Sequence, residues 1–193
     1  MGVSLNHPTL GQVGWAGSVD SNWTTIEGQF VARKAASTTT VTVSSTTSET
    51  ALISTASIPA NTLVAGFTIR IYAAGSISIP SSMVGVPVTY NLRWGGLGGT
   101  LLQSAAWSYT GTGAAYTVAW STNFVILCTN NGATGHVESD GWFATNTALQ
   151  VITGAQQIDT TGTNTLLWTV TPSLNTVSVT QRVLDVDISG KST

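Results

Sequence analysis

The sequence predicts a mainly β protein, an antiparallel β-sandwich or jelly roll preceded by a short N-terminal helix and an extended arm. Three observations predict it. The 193 residues include 33 Thr, 21 Ser and 20 Gly, and Thr is β-branched and suits strands. From about residue 49 to 189, short runs of alternating apolar and polar residues are separated by Gly, Pro and Asn, with no helical period between them. Finally, hydrophobic residues make up 42%, mean hydropathy is +0.24 and there are seven Trp. Such a chain needs a packed interior and is not a disordered tail. Eight to ten evenly spaced strands with no helix between them argue for antiparallel pairing.

The elements follow in order. Val19, Trp23, Ile26 and Phe30 recur at spacings of four, three and four, an amphipathic helical stripe. Thr24 and Glu27 have capping-box spacing, and Asp20 and Ser21 are alternative N-caps, so a short helix is expected over about 19–34. Gly11, Gly14 and Gly17 make the lead into it extended. In 37–48, Val41 and Val43 alternate with Thr, which predicts a β arm or edge strand. Strands are then expected at Ala51–Ser54, Phe67–Ala73 and Val86–Trp94, with Ile58–Leu63 as a connection broken by Pro59 and Asn61. The glycines at 95, 96, 98 and 99 turn the chain into a strand at Thr100-Leu101-Leu102. A long strand from Tyr116 to Cys128, bent near Ser121–Asn123, ends at the turn Asn130-Asn131-Gly132. Gly135–Thr145, Leu149–Ile152, Thr165–Thr171 and Val177–Ile188 complete the set. The domain division expected is an arm with its helix over 1–36 and a β-sandwich over 37–193.

Charge narrows the function. Only 7% of residues are charged and the net charge is −2. Six scattered cations build no basic patch, so neither nucleic acid nor an acidic membrane surface is an expected partner. Apolar runs are too short for a membrane-spanning helix, and no membrane insertion is expected. Met1–Gly11 has neither a charged nor an apolar leader region, so no signal peptide is expected. The single cysteine, Cys128, excludes an internal disulfide and a cysteine metal cluster, and reads as a small buried hydrophobe. Long β edges poor in Lys and Glu invite pairing with another chain, and tight homo-oligomerisation would cover them. A charge-poor, hydroxyl-rich β chain without an export signal suits a virus particle, whose parts fold in the host cytoplasm.

Candidate chemical sites are few. Only His7 and His136 could serve a serine nucleophile as base, and no G-x-S-x-G elbow is present. Glu138 and Asp140 stand two apart with His136 on the same parity, the densest polar cluster in the chain. Such a pair could serve glycoside hydrolysis or a metal, but the pattern fits an exposed strand face better. Asp185 and Asp187 share one face of a strand whose other face carries Leu184, Val186 and Ile188. Tryptophan faces can stack on sugars, which makes Trp94, Trp107, Trp120 and Trp142 candidate glycan contacts, although core or subunit packing suits most of them better. No catalytic residue, cofactor or metal is assigned.

Several stretches resemble a pattern common in tailed-bacteriophage structural proteins. In Glu49–Ile71 an "E-T-x-L-x-S" strand leads into "I-P-A-N-T-L-x-A-G-x-x-I-R". Thr89–Gly96 is similar to a strand ending in R-x-G-G, and Ile158–Thr161 with Thr165–Val170 resembles a "D-T-T…L-x-x-T-V" hairpin. Trp15 with Val19–Glu27 resembles a "W…V-N-x-N-W-x-x-I-E" segment that opens many phage fibre proteins, where it attaches the appendage to the particle. The resemblance implies a jelly-roll-like virion protein, commonly trimeric: a fibre, a neck appendage, or a capsid decoration or cement protein. It implies attachment to other virion proteins through Trp15, Val19, Trp23, Ile26 and Phe30, and carries no catalytic residue. The alternative expectation is a lectin-like module that recognises a host surface glycan.

Overall fold

The computed structural model describes residues 32–52, 56–81, 84–110 and 114–190. Every regular element among them is a β-strand: β1 (Ala32–Ser37), β2 (Val41–Val43), β3 (Thr50–Ala51), β4 (Ala56–Ile58), β5 (Thr68–Ile79), β6 (Val86–Trp94), β7 (Thr100–Tyr109), β8 (Tyr116–Asn130), β9 (Gly135–Thr145), β10 (Leu149–Ile158), β11 (Asn164–Pro172) and β12 (Ser178–Ser189). They form two antiparallel sheets. The large sheet runs β1-β12-β5-β8-β9-β10, with β2 also on β12, and the small sheet runs β3-β11-β6-β7, with β4 also on β11.

The sheets pack face to face as a sandwich. Alternation along each strand sends one set of side chains inward, as with Ile69, Ile71 and Ala73 of β5 and Val118, Trp120, Phe124 and Ile126 of β8. Tyr90 of the small sheet meets Trp120 and Phe143 of the large sheet, with ring centroids 5.0 and 4.7 Å apart. Phe124 meets Trp168 at 5.7 Å across the same interface. Gly141 makes room for this contact: a Cβ there would collide with the Asn123 carbonyl and the Phe124 ring. Along one side Gln103 of β7 donates to the Ser139 backbone carbonyl of β9 at 3.2 Å and to the Ser139 hydroxyl, which bridges the sheets with a buried amide.

The expected N-terminal helix needs correction. Ala32, Arg33 and Lys34, its last residues, lie in β1, where Ala32 and Arg33 pair with β12 and Lys34 falls at a register shift. An open strand edge offers hydrogen bonds between backbones, and that pairing overrides the modest helix propensity of the Ala-Arg-Lys run. Residues 19–31 of that helix, together with Trp15 and the rest of the arm up to position 31, lie outside the described residues. β1 itself crosses the boundary drawn between positions 36 and 37. The bend expected at Ser121–Asn123 is also corrected, because β8 pairs in unbroken register there with both neighbours. The irregularity falls between Cys128 and Asn130 instead.

Candidate functional site

Among the described residues, polar side chains gather on both outer faces of the sandwich. On the small sheet they are tied to one another. The Glu49 carboxylate, just before β3, accepts hydrogen bonds from Arg93 Nε at 2.7 Å and Arg93 Nη2 at 2.8 Å. Asn91 Nδ2 adds a third at 3.0 Å, and the Thr169 hydroxyl a fourth. Arg93 Nη1 then reaches the Gly99 carbonyl at 3.0 Å in the β6–β7 turn. The guanidinium holds the Glu49 carboxyl down to about 2, against desolvation, with Thr169 and Asn91 adding to the effect. This cluster locks β3, β6 and β11 together.

A second constellation closes one end of the sandwich. In the Ile58–Leu63 segment, Asn61 adopts a left-handed conformation with φ of 58°, and its amide donates to the Thr160 carbonyl at 2.9 Å. The Ala60 amide reaches the Thr163 hydroxyl at 3.3 Å. Asp159 caps its own turn by accepting from the Thr161 amide and hydroxyl, which keeps its carboxyl below the ordinary value. Trp94 Nε1 donates to the Asp159 carbonyl at 3.0 Å.

The outer face of the large sheet is different. Parity and register place its residues in rows running across the strands. One row is Asp185, Tyr72, Asn123, Trp142 and Val151, from β12, β5, β8, β9 and β10 in turn. The next row along the strands is Asp187, Arg70, Val125, Asp140 and Thr153. A third is Ser189, Thr68, Leu127, Glu138 and Ala155. Tyr72 is 41% exposed, and Arg70, Asn123, Glu138 and Asp140 are exposed.

The predicted residues fall as follows. Trp94, Trp107 and Trp120 are 4%, 6% and 2% exposed and sit in the core. Trp142 is half-buried on the outer face of the large sheet. Glu138 and Asp140 share that face, and His136 of the same parity pairs with the Thr129 hydroxyl at 3.1 Å. Among the described residues, no group of three His, Cys, Asp or Glu side chains could hold a metal ion. Asp185 and Asp187 face outward while Leu184, Val186 and Ile188 are buried, as their spacing predicts. Cys128 is buried, which pushes its thiol up. The attachment residues Trp15, Val19, Trp23, Ile26 and Phe30 lie outside the described residues. Tyr72 was missed, although it is an aromatic on the polar parity of a strand whose Ile69 and Ile71 face inward.

The chain matches no protein-family model and no curated protein sequence. Among solved structures it is similar to that of infectious bursal disease virus, Gx strain, at 15% identity and a TM-score of 0.27, covering 83% of this chain and 38% of that one. It is also similar to the VP2 subviral particle of infectious bursal disease virus, at 14% identity and a TM-score of 0.22, covering 83% of this chain and 40% of that one. The chain thus spans about two-fifths of either. Likenesses this distant carry no argument about function.

Proposed function

We propose that this chain is a non-enzymatic structural protein of a tailed-phage virion. It is an exposed jelly-roll-type appendage (fibre, neck or capsid decoration) that assembles as a homotrimer in the host cytoplasm and attaches through its N-terminal segment. The observation that carries the reading is the convergence of the resembling motifs. Glu49 of the first motif, Arg93 of the second and Thr169 of the third meet in one hydrogen-bonded cluster. Ile58–Leu63 docks on the turn that follows Asp159. Residues more than a hundred positions apart therefore work as one framework, and the motifs specify a scaffold rather than a reaction.

The edge of the large sheet supports assembly. Leu149 and Val151 of β10 are 69% and 71% exposed, and β10 contains no Lys, Glu or Pro to discourage pairing with another chain. Light scattering after size exclusion should give ~60 kDa, three copies of the 19.9 kDa chain. A stable monomer removes the trimer. A chain lacking residues 1–31 keeps β1 and should fold but stay out of particles, and its incorporation would overturn the attachment role.

A further inference from the structure

The geometry points to a binding site for a neutral oligosaccharide on the outer face of the large sheet, built on Tyr72 and Trp142. This inference concerns the face of the large sheet rather than its β10 edge and does not depend on assembly, although Val151, opposite Trp142, borders both.

Tyr72 and Trp142 occupy one row with Asn123 between them. Two strand spacings separate the aromatic columns, about 9.6 Å. Both rings belong to the face that the core does not use, since the inward neighbours on their strands are Ile71, Ala73 and Phe143. An aromatic ring on a wet face offers the flat apolar surface on which the C–H side of a pyranose stacks. The exposed Asn123 amide between the rings supplies both a donor and an acceptor, the pair that sugar hydroxyls use.

The relief of the face suits a chain of sugars rather than one. On one side of the aromatic row lies an open groove of about 740 Å³ lined by Ala74, Ser121 and Ala144 among others. On the other side lies a second open groove of about 820 Å³, lined by Val125, Leu127, Glu138 and Asp140 with Thr153, Gly154 and Ala155. The register places the row of Tyr72 and Trp142 between the two grooves. The rows follow one another at two-residue intervals, so the strip from Ala74 to Thr68 runs about 20 Å along the strands. That is the length of an oligosaccharide lying along the sheet.

Charge selects the class. Arg70, beside the aromatic row, lies between Asp187 in register on β12 and Asp140 two strands away on β9, while Arg182 lines the other groove. Glu138 adds a further carboxylate to the same groove. In the groove of Glu138 and Asp140 a sialylated or uronic sugar would meet repulsion, whereas carboxylates accept hydrogen bonds well from the hydroxyls of a neutral one.

The test is an array of neutral and sialylated oligosaccharides probed with the labelled full-length chain, followed by tryptophan-fluorescence titration of the hits. The expected result is retention of at least one neutral glycan longer than a disaccharide. Affinity should fall about tenfold or more in Trp142→Ala and in Tyr72→Ala. Ser104→Ala, on the outer face of the small sheet, should bind as the parent does. Asn123→Ala is the milder probe should an aromatic truncation impair folding, and it should also weaken binding. The inference is overturned if no neutral glycan is retained, if only sialylated ones are, or if all three variants bind unchanged. It is equally overturned if Trp142→Ala or Tyr72→Ala changes the native mass of the protein, since the row would then be a subunit contact.

Discussion

The two outer faces of the sandwich carry polar residues for opposite purposes. On the small sheet, Glu49, Asn91, Arg93 and Thr169 satisfy one another, and Asn91 and Thr169 are buried beneath the pair of charges. On the large sheet, Arg70, Asn123, Glu138 and Asp140 are exposed to solvent beside Tyr72 and Trp142. Both faces come from strands with the same alternation, so polarity by itself does not mark a site. What separates them is how the charges stand: Glu49 and Arg93 hold each other on the small sheet, whereas Glu138 and Asp140 are exposed on the large one. The tied face holds the fold, and the open face is the one on which the sugar site is proposed.

The comparison breaks most sharply through the core that both faces share. Trp120→Ala removes a ring that packs on Tyr90 and Phe143, and should cost about 3–5 kcal/mol in denaturant unfolding. Both faces should be lost together, since the core residues of the two sheets form one cluster. Unfolding in two separate steps would show instead that the sheets are independent.

The next effect belongs to the small sheet alone. Arg93→Ala leaves the Glu49 carboxylate with Asn91 and Thr169 only, and should destabilise by about 1–3 kcal/mol. The same cluster makes stability depend on pH. Glu49 titrates at about 2 in the folded protein against an ordinary 4.5, so the unfolded chain takes up the proton first as pH falls. The contribution is present above about 4.5 and is lost as pH drops toward about 2. Glu49→Gln should flatten that part of the stability profile, and an unchanged acid limb would assign the slope to other groups.

The smallest effect sharpens the contrast. Asp140→Asn and Glu138→Gln on the open face should each change stability by no more than about 0.5 kcal/mol. A loss comparable to that of Arg93→Ala would mean that the large sheet's carboxylates are structural too.

Much of the strand pattern was legible. Val86–Trp94 and Gly135–Thr145 have the bounds their alternation predicts, because each alternates cleanly between turn residues. β7 and β10 extend well past the expected Leu102 and Ile152. Their later halves are rich in Gln, Ala, Ser and Gly, which carry little strand preference, and pairing with β6 and β9 holds them extended. The helical stripe misled at its end for the related reason that Ala32–Lys34 found an open edge on β12. Of the candidate site, Trp142 was visible and Tyr72 was not, since it reads as one more apolar residue in a strand.

By itself, the sequence determined the all-β antiparallel class, most of the strands, the outward parity of Asp185 and Asp187, and the poverty of charge. These follow from local alternation and composition, which need no knowledge of neighbours. Only the tertiary structure decided that Glu49 meets Arg93 and Thr169, that three of the four candidate tryptophans are buried, and that Tyr72, Asn123 and Trp142 share a row. Those facts depend on which strands pair and in what register, and a one-residue slip would send each side chain to the other face.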